Sequence, residues 1–193
     1  MRYYTKNQAY KELKIIGYTY YAPEVTDMYL KPDSALLVNN KPFFLPDFAD
    51  TIVAKPCLIA RIEKMGRNIA EKFADRYYDA VAFGMNVQTA EAKQANDFWG
   101  HICAAAFDNS MIVGHFTTKQ AGQYQLKADG SECALDKTIF PFSQAITAIS
   151  RYITLRTGDM IAVDFIAEPV RLQREMLLEA WADNEQVFRC RIK

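Results

Sequence analysis

The stretch TIVAKPCLIARI, residues 51–62, is long, apolar and rich in β-branched side chains, and it reads as a strand. Pro56 interrupts it, and a proline cannot donate to a ladder, so an edge position or a bulge is expected there. Downstream, residues 66–80 place Ile69, Phe73 and Tyr77 at spacing four, which predicts a helix. Upstream, residues 12–17 and 35–38 are short β-like runs, the second closed by Asn39, Asn40 and Pro42. Residues 124–127 and 132–135 flank Asp129-Gly130, a strong hairpin signal. Residues 141–153 predict a second helix, with Pro141 in its first turn and Ile146, Ile149 and Ile153 as its buried stripe. Residues 160–166, 176–181 and 186–192 read as late strands, with Asp183-Asn184 turning the last pair. Strands outnumber helices without regular alternation. The expected class is α+β, strand-rich, rather than a doubly wound sheet.

The 193 residues suit one domain, 1–193, with residues 1–13 as a candidate N-terminal arm. Lysine plus arginine and aspartate plus glutamate number 23 each, so the net charge is zero, which argues against nucleic-acid binding. No run of 18 apolar residues exists, so no membrane span is expected. Residues 1–10 are polar and tyrosine-rich and do not read as a signal peptide. Cys57, Cys103, Cys133 and Cys190 are scattered without zinc-ribbon spacing, as expected of free thiols in a cytoplasmic protein.

Three stretches in order then resemble the fumarylacetoacetate hydrolase family. The first is Leu30-Lys31-Pro32-Asp33-Ser34-Ala35-Leu36-Leu37 with Leu45-Pro46-Asp47-Phe48. The second is Lys64-Met65-Gly66-Arg67-Asn68-Ile69 leading to Gly84. The third is Ile149-Ser150-Arg151-Tyr152, Thr154-Leu155 and Gly158-Asp159-Met160-Ile161. Phe107-Asp108 and residues 188–191 fit less specifically. The resemblance implies a rolled mixed β-sandwich with a few short helices, usually a homodimer. It also implies Mg²⁺- or Ca²⁺-dependent hydrolysis, decarboxylation, hydration or isomerisation of small oxo-acids, with the ion held by a Glu-x-Glu pair on one strand and an Asp on another.

Glu-x-Glu works because residues i and i+2 of a strand share a face, so both carboxylates reach one hard cation. The resemblance puts that pair on Lys55 and Cys57, and the third ligand on Asn86. Glu63 lies roughly 20 Å further along an extended strand, and Asp50 has the wrong parity, so neither is a convincing substitute. The family's arginine falls on Ala90 or Glu91, its lysine on Ala105, and its Thr-Gly-Thr-Pro loop on Val163-Asp164-Phe165-Ile166. The Asn-Tyr-x-x-His opening falls near Thr19-Tyr20 with no histidine following. Tyr20 and Lys31 are the retained site-like residues.

Lys55 beside Cys57 reads either as an activated thiol or as a buried thiol next to a lysine filling the space left by the metal. His101 and His115 have no carboxylate or cysteine at ligand spacing and read as structural or surface residues. The expected protein is a degenerate member of the fold that takes no metal cofactor. Its vestigial cleft would comprise Tyr20, Lys31, Lys55, Cys57, Asn86 and Ala105. It would act by binding or pairing, with itself or with a catalytic relative, and a small carboxylate is a candidate ligand near Lys31 and Lys55. An active divergent hydrolase, decarboxylase or isomerase of oxo-acids and a purely structural homodimer are the alternatives.

Overall fold

The computed structural model describes residues 13–21, 25–90, 104–117, 124–135, 142–165 and 167–193. Its organising strand is β4 (Ile52–Ile62), which pairs antiparallel along its whole length with β5 (Tyr78–Thr89) and, on its other side, with β9 (Met160–Asp164). These strands form the centre of an eight-stranded sheet in the order β2 (Val25–Lys31), β1 (Ile15–Tyr21), β9, β4, β5, β6 (Met111–Val113) and β3 (Leu36–Leu37), with β10 (Val170–Arg171) also pairing β4. The β1–β9 and β3–β6 pairs are parallel and the rest antiparallel, so the sheet is mixed. A second sheet of four strands, β12 (Glu185–Arg191), β11 (Leu177–Ala182), β7 (Tyr124–Ala128) and β8 (Ser131–Ala134), covers one face of the first.

Pro56 is neither at an edge nor at a bulge. It pairs with Met85 in the middle of β4, and the register shift of that strand falls at Arg61/Ile62. Two different neighbours use the other side of β4: β9 as far as Cys57, and β10 at Ala54 and Val53. Pro56 sits in the gap between them, where its carbonyl accepts from Phe165 N (2.9 Å), so the missing N–H breaks no ladder bond.

The helix expected over residues 66–80 is a single turn, α1 (Glu71–Ala74). Asn68 has a φ of 52° and Ala70 is extended, so no helix can start before Glu71. After Asp75 the chain enters β5, because pairing with all of β4 outweighs the helical spacing of Phe73 and Tyr77. Phe73 is 42% exposed accordingly. The second helix, α2 (Phe142–Ser150), buries Ile146 and Ile149 as expected, and Ala145 with them, while Ile153 packs from beyond its end. Pro141 lies outside the described residues. The Ser150 hydroxyl accepts Ile69 N (2.9 Å), and its carbonyl accepts Asn68 N (2.9 Å), which fixes the loop before α1 to α2.

Asp129 and Gly130 both have positive φ, 48° and 85°, as a two-residue hairpin turn requires, and join β7 to β8. Phe83 carries the contact between the sheets. Its ring lies 5.2 Å from Phe188, 6.0 Å from Tyr124 and 6.2 Å from Phe165. Asp159, of the Gly158-Asp159 turn, is fully buried; it accepts from Lys14 N (3.1 Å), the Lys14 ammonium and Arg156 N (2.6 Å). It is therefore a structural anchor for the start of β1. Among the described residues no helix is long and apolar enough to cross a membrane.

Candidate functional site

The opposite face of the large sheet carries a smaller core of Ile15, Cys57, Ile59, Ala82, Met111, Val113, Met160 and Ala162. Polar groups enter it at one level. On β9, Asp164 follows Ala162 with the same parity, and its strand partner on β4 is Cys57. Cys57 in turn faces Gly84 on β5, and Asn86 follows Gly84 on the same face. Asp164 is 3% exposed, and Asn86, Cys57 and Lys31 are fully buried.

Tyr29 reaches this group from β2 by crossing β1. It pairs with Gly17, which pairs with Ala162. A Cβ at Gly17 would fall inside the Tyr29 ring, so glycine is what lets the ring lie across the strand. The Tyr29 hydroxyl donates to Asp164 Oδ1 at 2.8 Å, and Asn86 Nδ2 donates to Asp164 Oδ2 at 3.5 Å. Asn86 Oδ1 is buried and has no hydrogen-bond partner among the described residues.

Lys31 leaves β2 two residues after Tyr29 and points into the roll. Its Nζ donates to Val87 O (3.0 Å), Ser110 O (3.0 Å), Ser110 Oγ (2.9 Å) and the Ala105 carbonyl. Tyr29 and Phe107 present their rings to the amine at 5.9 and 6.0 Å. Lys31 thus joins β2 to β5 and to the segment before β6. Burial pulls its pKa down to about 7, against the pull of Asp164 and Cys57, which favour the ammonium. Burial pushes the Cys57 thiol up, and Asp164 adds to that push, while Lys31 and the Asn86 backbone N–H oppose it. Burial raises the Tyr29 hydroxyl as well, with Asp164 and Cys57 reinforcing it.

The sequence-derived positions are therefore only partly gathered. Lys31, Cys57 and Asn86 belong to one buried cluster. Lys55 is opposite Asn86 in register and partly exposed. Ala105 contributes its carbonyl, not its side chain. Tyr20 lies on β1 opposite Thr26. Ala90 closes β5 by donating its N–H to Thr51 O (2.9 Å). Glu63 and Asp50 are exposed. His115 is near Asn40 on the surface, its Nε2 3.3 Å from Asn40 Nδ2. Glu91, His101, Cys103 and Ile166 lie outside the described residues. With Cys57 raised rather than lowered, the activated-thiol reading of Lys55 and Cys57 loses its basis, and the buried thiol stands.

Asp164 and Tyr29 were not among the candidates. A carboxylate closing the apolar run Met160 to Val163 was a usable signal, because such a group is buried only with partners. Tyr29 had none, since its role depends on Gly17 on the neighbouring strand.

No protein-family model matches the chain, and no curated protein does. Solved structures do. An Escherichia coli protein provisionally assigned as an isomerase is 20% identical, with a TM-score of 0.84 over 94% of this chain and 92% of that one. A Yersinia pestis protein provisionally assigned to the fumarylacetoacetate hydrolase family is 22% identical, with a TM-score of 0.82 over 94% and 92%. A fumarylpyruvate hydrolase from Pseudomonas aeruginosa, solved in complex with Mn²⁺ and pyruvate, is 18% identical, with a TM-score of 0.80 over 93% and 88%. The chain has the fumarylacetoacetate hydrolase fold.

That finding corrects the expectation that no metal is taken. The fumarylpyruvate hydrolase, which shares the fold, is solved with Mn²⁺. Along β4 and its flanks the candidate oxygens, Glu63 and Asp50, are exposed and away from the cluster. The fumarylacetoacetate hydrolase fold places β9 beside β4, and Asp164 brings a carboxylate across that pairing to the level of Cys57. Among the described residues no three His, Cys, Asp or Glu side chains cluster as a complete metal site. The hard donors present are the Asp164 carboxylate and Asn86 Oδ1, but the Asn86 amide turns Nδ2 toward that carboxylate, so the two oxygens would close on one divalent ion only with the amide turned over.

Proposed function

We infer that this protein is a degenerate form of the fumarylacetoacetate hydrolase fold that acts by binding and pairing rather than by turnover. One observation carries the reading. Lys31, the lysine retained at the mouth of the site, is fully buried, and its amine is committed to three backbone carbonyls and the Ser110 hydroxyl. An amine with no free direction is a structural tie, not a group that meets a substrate. The positions that carry the family's lysine and arginine hold Ala105 and either Ala90 or Glu91, so the site has lost the groups that would bind a substrate carboxylate or stabilise a developing enolate.

The pairing partner is a second copy of this chain or a catalytic relative of the same fold, in the cytoplasm. Exposed Phe44, Phe48 and Met65, at 68%, 60% and 71%, are apolar surface available to such a partner. Light scattering at micromolar concentration, with co-purification from the source cells, tests this. A monomer with no co-purifying relative would contradict it.

An active oxo-acid hydrolase, decarboxylase or isomerase is the second reading, favoured by Asp164 beside the unpaired Asn86 Oδ1. A divalent ion bound there would polarise an oxo-acid carbonyl. In that reading Asp164 and Asn86, with its amide turned over to present Oδ1, would hold the ion, Tyr29 orients Asp164 through its hydroxyl, and the apolar residues around Cys57 exclude water. Oxo-acid turnover with added Mg²⁺ or Mn²⁺ decides between the two.

A further inference from the structure

The face of the large sheet away from the buried cluster carries a cleft at its β2 end. Tyr18 on β1 pairs with Met28 on β2 and belongs to the larger core, so Met28 and Leu30 share the face opposite that of Tyr29 and Lys31. Where the end of α2 meets this pair lies a cavity of about 300 Å³, lined by Tyr18, Met28, Ala148, Arg151 and Tyr152. Met28, Leu30 and Tyr152 are 43%, 56% and 74% exposed, three of the seven large apolar side chains exposed among the described residues. That concentration at one cleft marks a contact site. β2 is also the end strand of its sheet. Among the described residues it pairs only with β1, over all seven of its residues and without a register shift. Its outer backbone N–H and C=O groups form a regular row, the template on which another strand pairs.

The charge beside the cleft is mostly of one sign. Gly66 N donates to Leu155 O (3.0 Å) and Asn68 N to Ser150 O (2.9 Å), which sets Arg67 between two ties whose partners are followed by Arg156 and Arg151. All three arginines are exposed, and none has an ion pair among the described residues. Residues 63–70 and 150–158 hold these three and Lys64 against one carboxylate, Glu63. We propose that the β2 edge and this cleft dock an extended acidic segment of a partner protein. The segment adds as a strand beside β2, seats one apolar side chain between Met28 and Tyr152, and turns its carboxylates to Arg151 and the arginines beyond it. A second copy of the chain fits less well, because a two-fold axis through the β2 edge brings two copies of Arg151 together. A nucleic acid would use the arginines through its phosphates and leave the strand edge and the apolar cleft unused. The surface lies across the sheet from the buried cluster, so the inference stands whether or not the protein turns over a substrate.

The test is fluorescence anisotropy of the full chain with the fluorescein-labelled peptide Glu-Asp-Val-Leu-Val-Glu-Asp. Wild type is expected to bind it, with an affinity that falls as salt rises. The same peptide with proline in place of leucine cannot complete a strand ladder and is expected to bind about tenfold more weakly. Arg151→Glu and Met28→Asp are each expected to weaken binding about tenfold. Both positions are exposed, and circular dichroism establishes that the variants are folded. Absence of binding to wild type at millimolar peptide would overturn the proposal. So would a proline peptide that binds as the leucine peptide does, or folded Arg151→Glu or Met28→Asp binding as wild type does. A homodimer that Met28→Asp disperses would overturn it in favour of a second copy, and an oligouridylate that binds more tightly than the peptide would overturn it in favour of a nucleic acid.

Discussion

Replacing Lys31 with methionine separates the two things this side chain does. The unbranched stem is kept, and only the amine is lost. The Val87 carbonyl then loses its Lys31 donor with no other seen among the described residues, and the Ala105 and Ser110 carbonyls keep one each, from Ser110 Oγ and Val87 N. One orphaned carbonyl destabilises by about 1–3 kcal/mol. Against this stands the burial of the amine, which lowers its pKa from 10.5 to about 7. A depressed basic pKa means that the unfolded chain binds the proton more tightly across that interval, so wild-type stability rises with pH between 7 and 10.5. Taking those two pKa values, the gain between pH 6.5 and 8.5 is about 2 kcal/mol. Lys31→Met lacks that gain, so its deficit relative to wild type is expected to widen by the same amount over the same range. Comparing the two proteins cancels the high-pH contributions of Cys57 and Tyr29, which both retain. Urea denaturation at fixed ionic strength, repeated across the range, measures it. Parallel stability curves would refute the reasoning, because they would mean that Lys31 keeps its proton at no cost in the folded protein.

Other outcomes follow from the same geometry. Gly17→Ala drives a methyl group into the Tyr29 ring and is expected to destabilise by about 1–3 kcal/mol in urea melts, with little further loss when combined with Tyr29→Phe. Phe83→Ala removes the ring that joins the two sheets and is expected to lower stability by about 3–5 kcal/mol, read the same way. In native protein a thiol reagent is expected to modify exposed Cys133 quickly, whereas Cys57 and Cys190, both buried with raised pKa values, react only on unfolding; peptide mapping by mass spectrometry resolves the sites.

Local signals were read correctly where local chemistry decides the structure. Asp129-Gly130 forms its hairpin turn because both positions must take positive φ. The strand over residues 52–62 and the helix stripe at Ile146 and Ile149 are visible as periodicity. Where long-range pairing decides, the reading fell short. Phe73 and Tyr77 share helical spacing by coincidence, and β5 takes the chain from Tyr78 because β4 is there to pair with it. Pro56 looked like an edge marker because the handover between β9 and β10 cannot be seen from β4 alone. The site shows the same limit. Asn86 and Cys57 were found by position, but the carboxylate beside them comes from Asp164 and its hydroxyl partner from Tyr29, 135 residues apart in the chain. Only the sheet order makes them neighbours.

The central claim, that the fold is kept and its turnover lost, is tested most directly by following fumarylpyruvate and oxaloacetate spectrophotometrically with purified protein in the presence of Mg²⁺ or Mn²⁺. The expected result is consumption no faster than in a protein-free blank containing the same ion. Consumption that requires the protein and the ion, and that disappears in folded Asp164→Asn, would contradict the claim and establish the second reading.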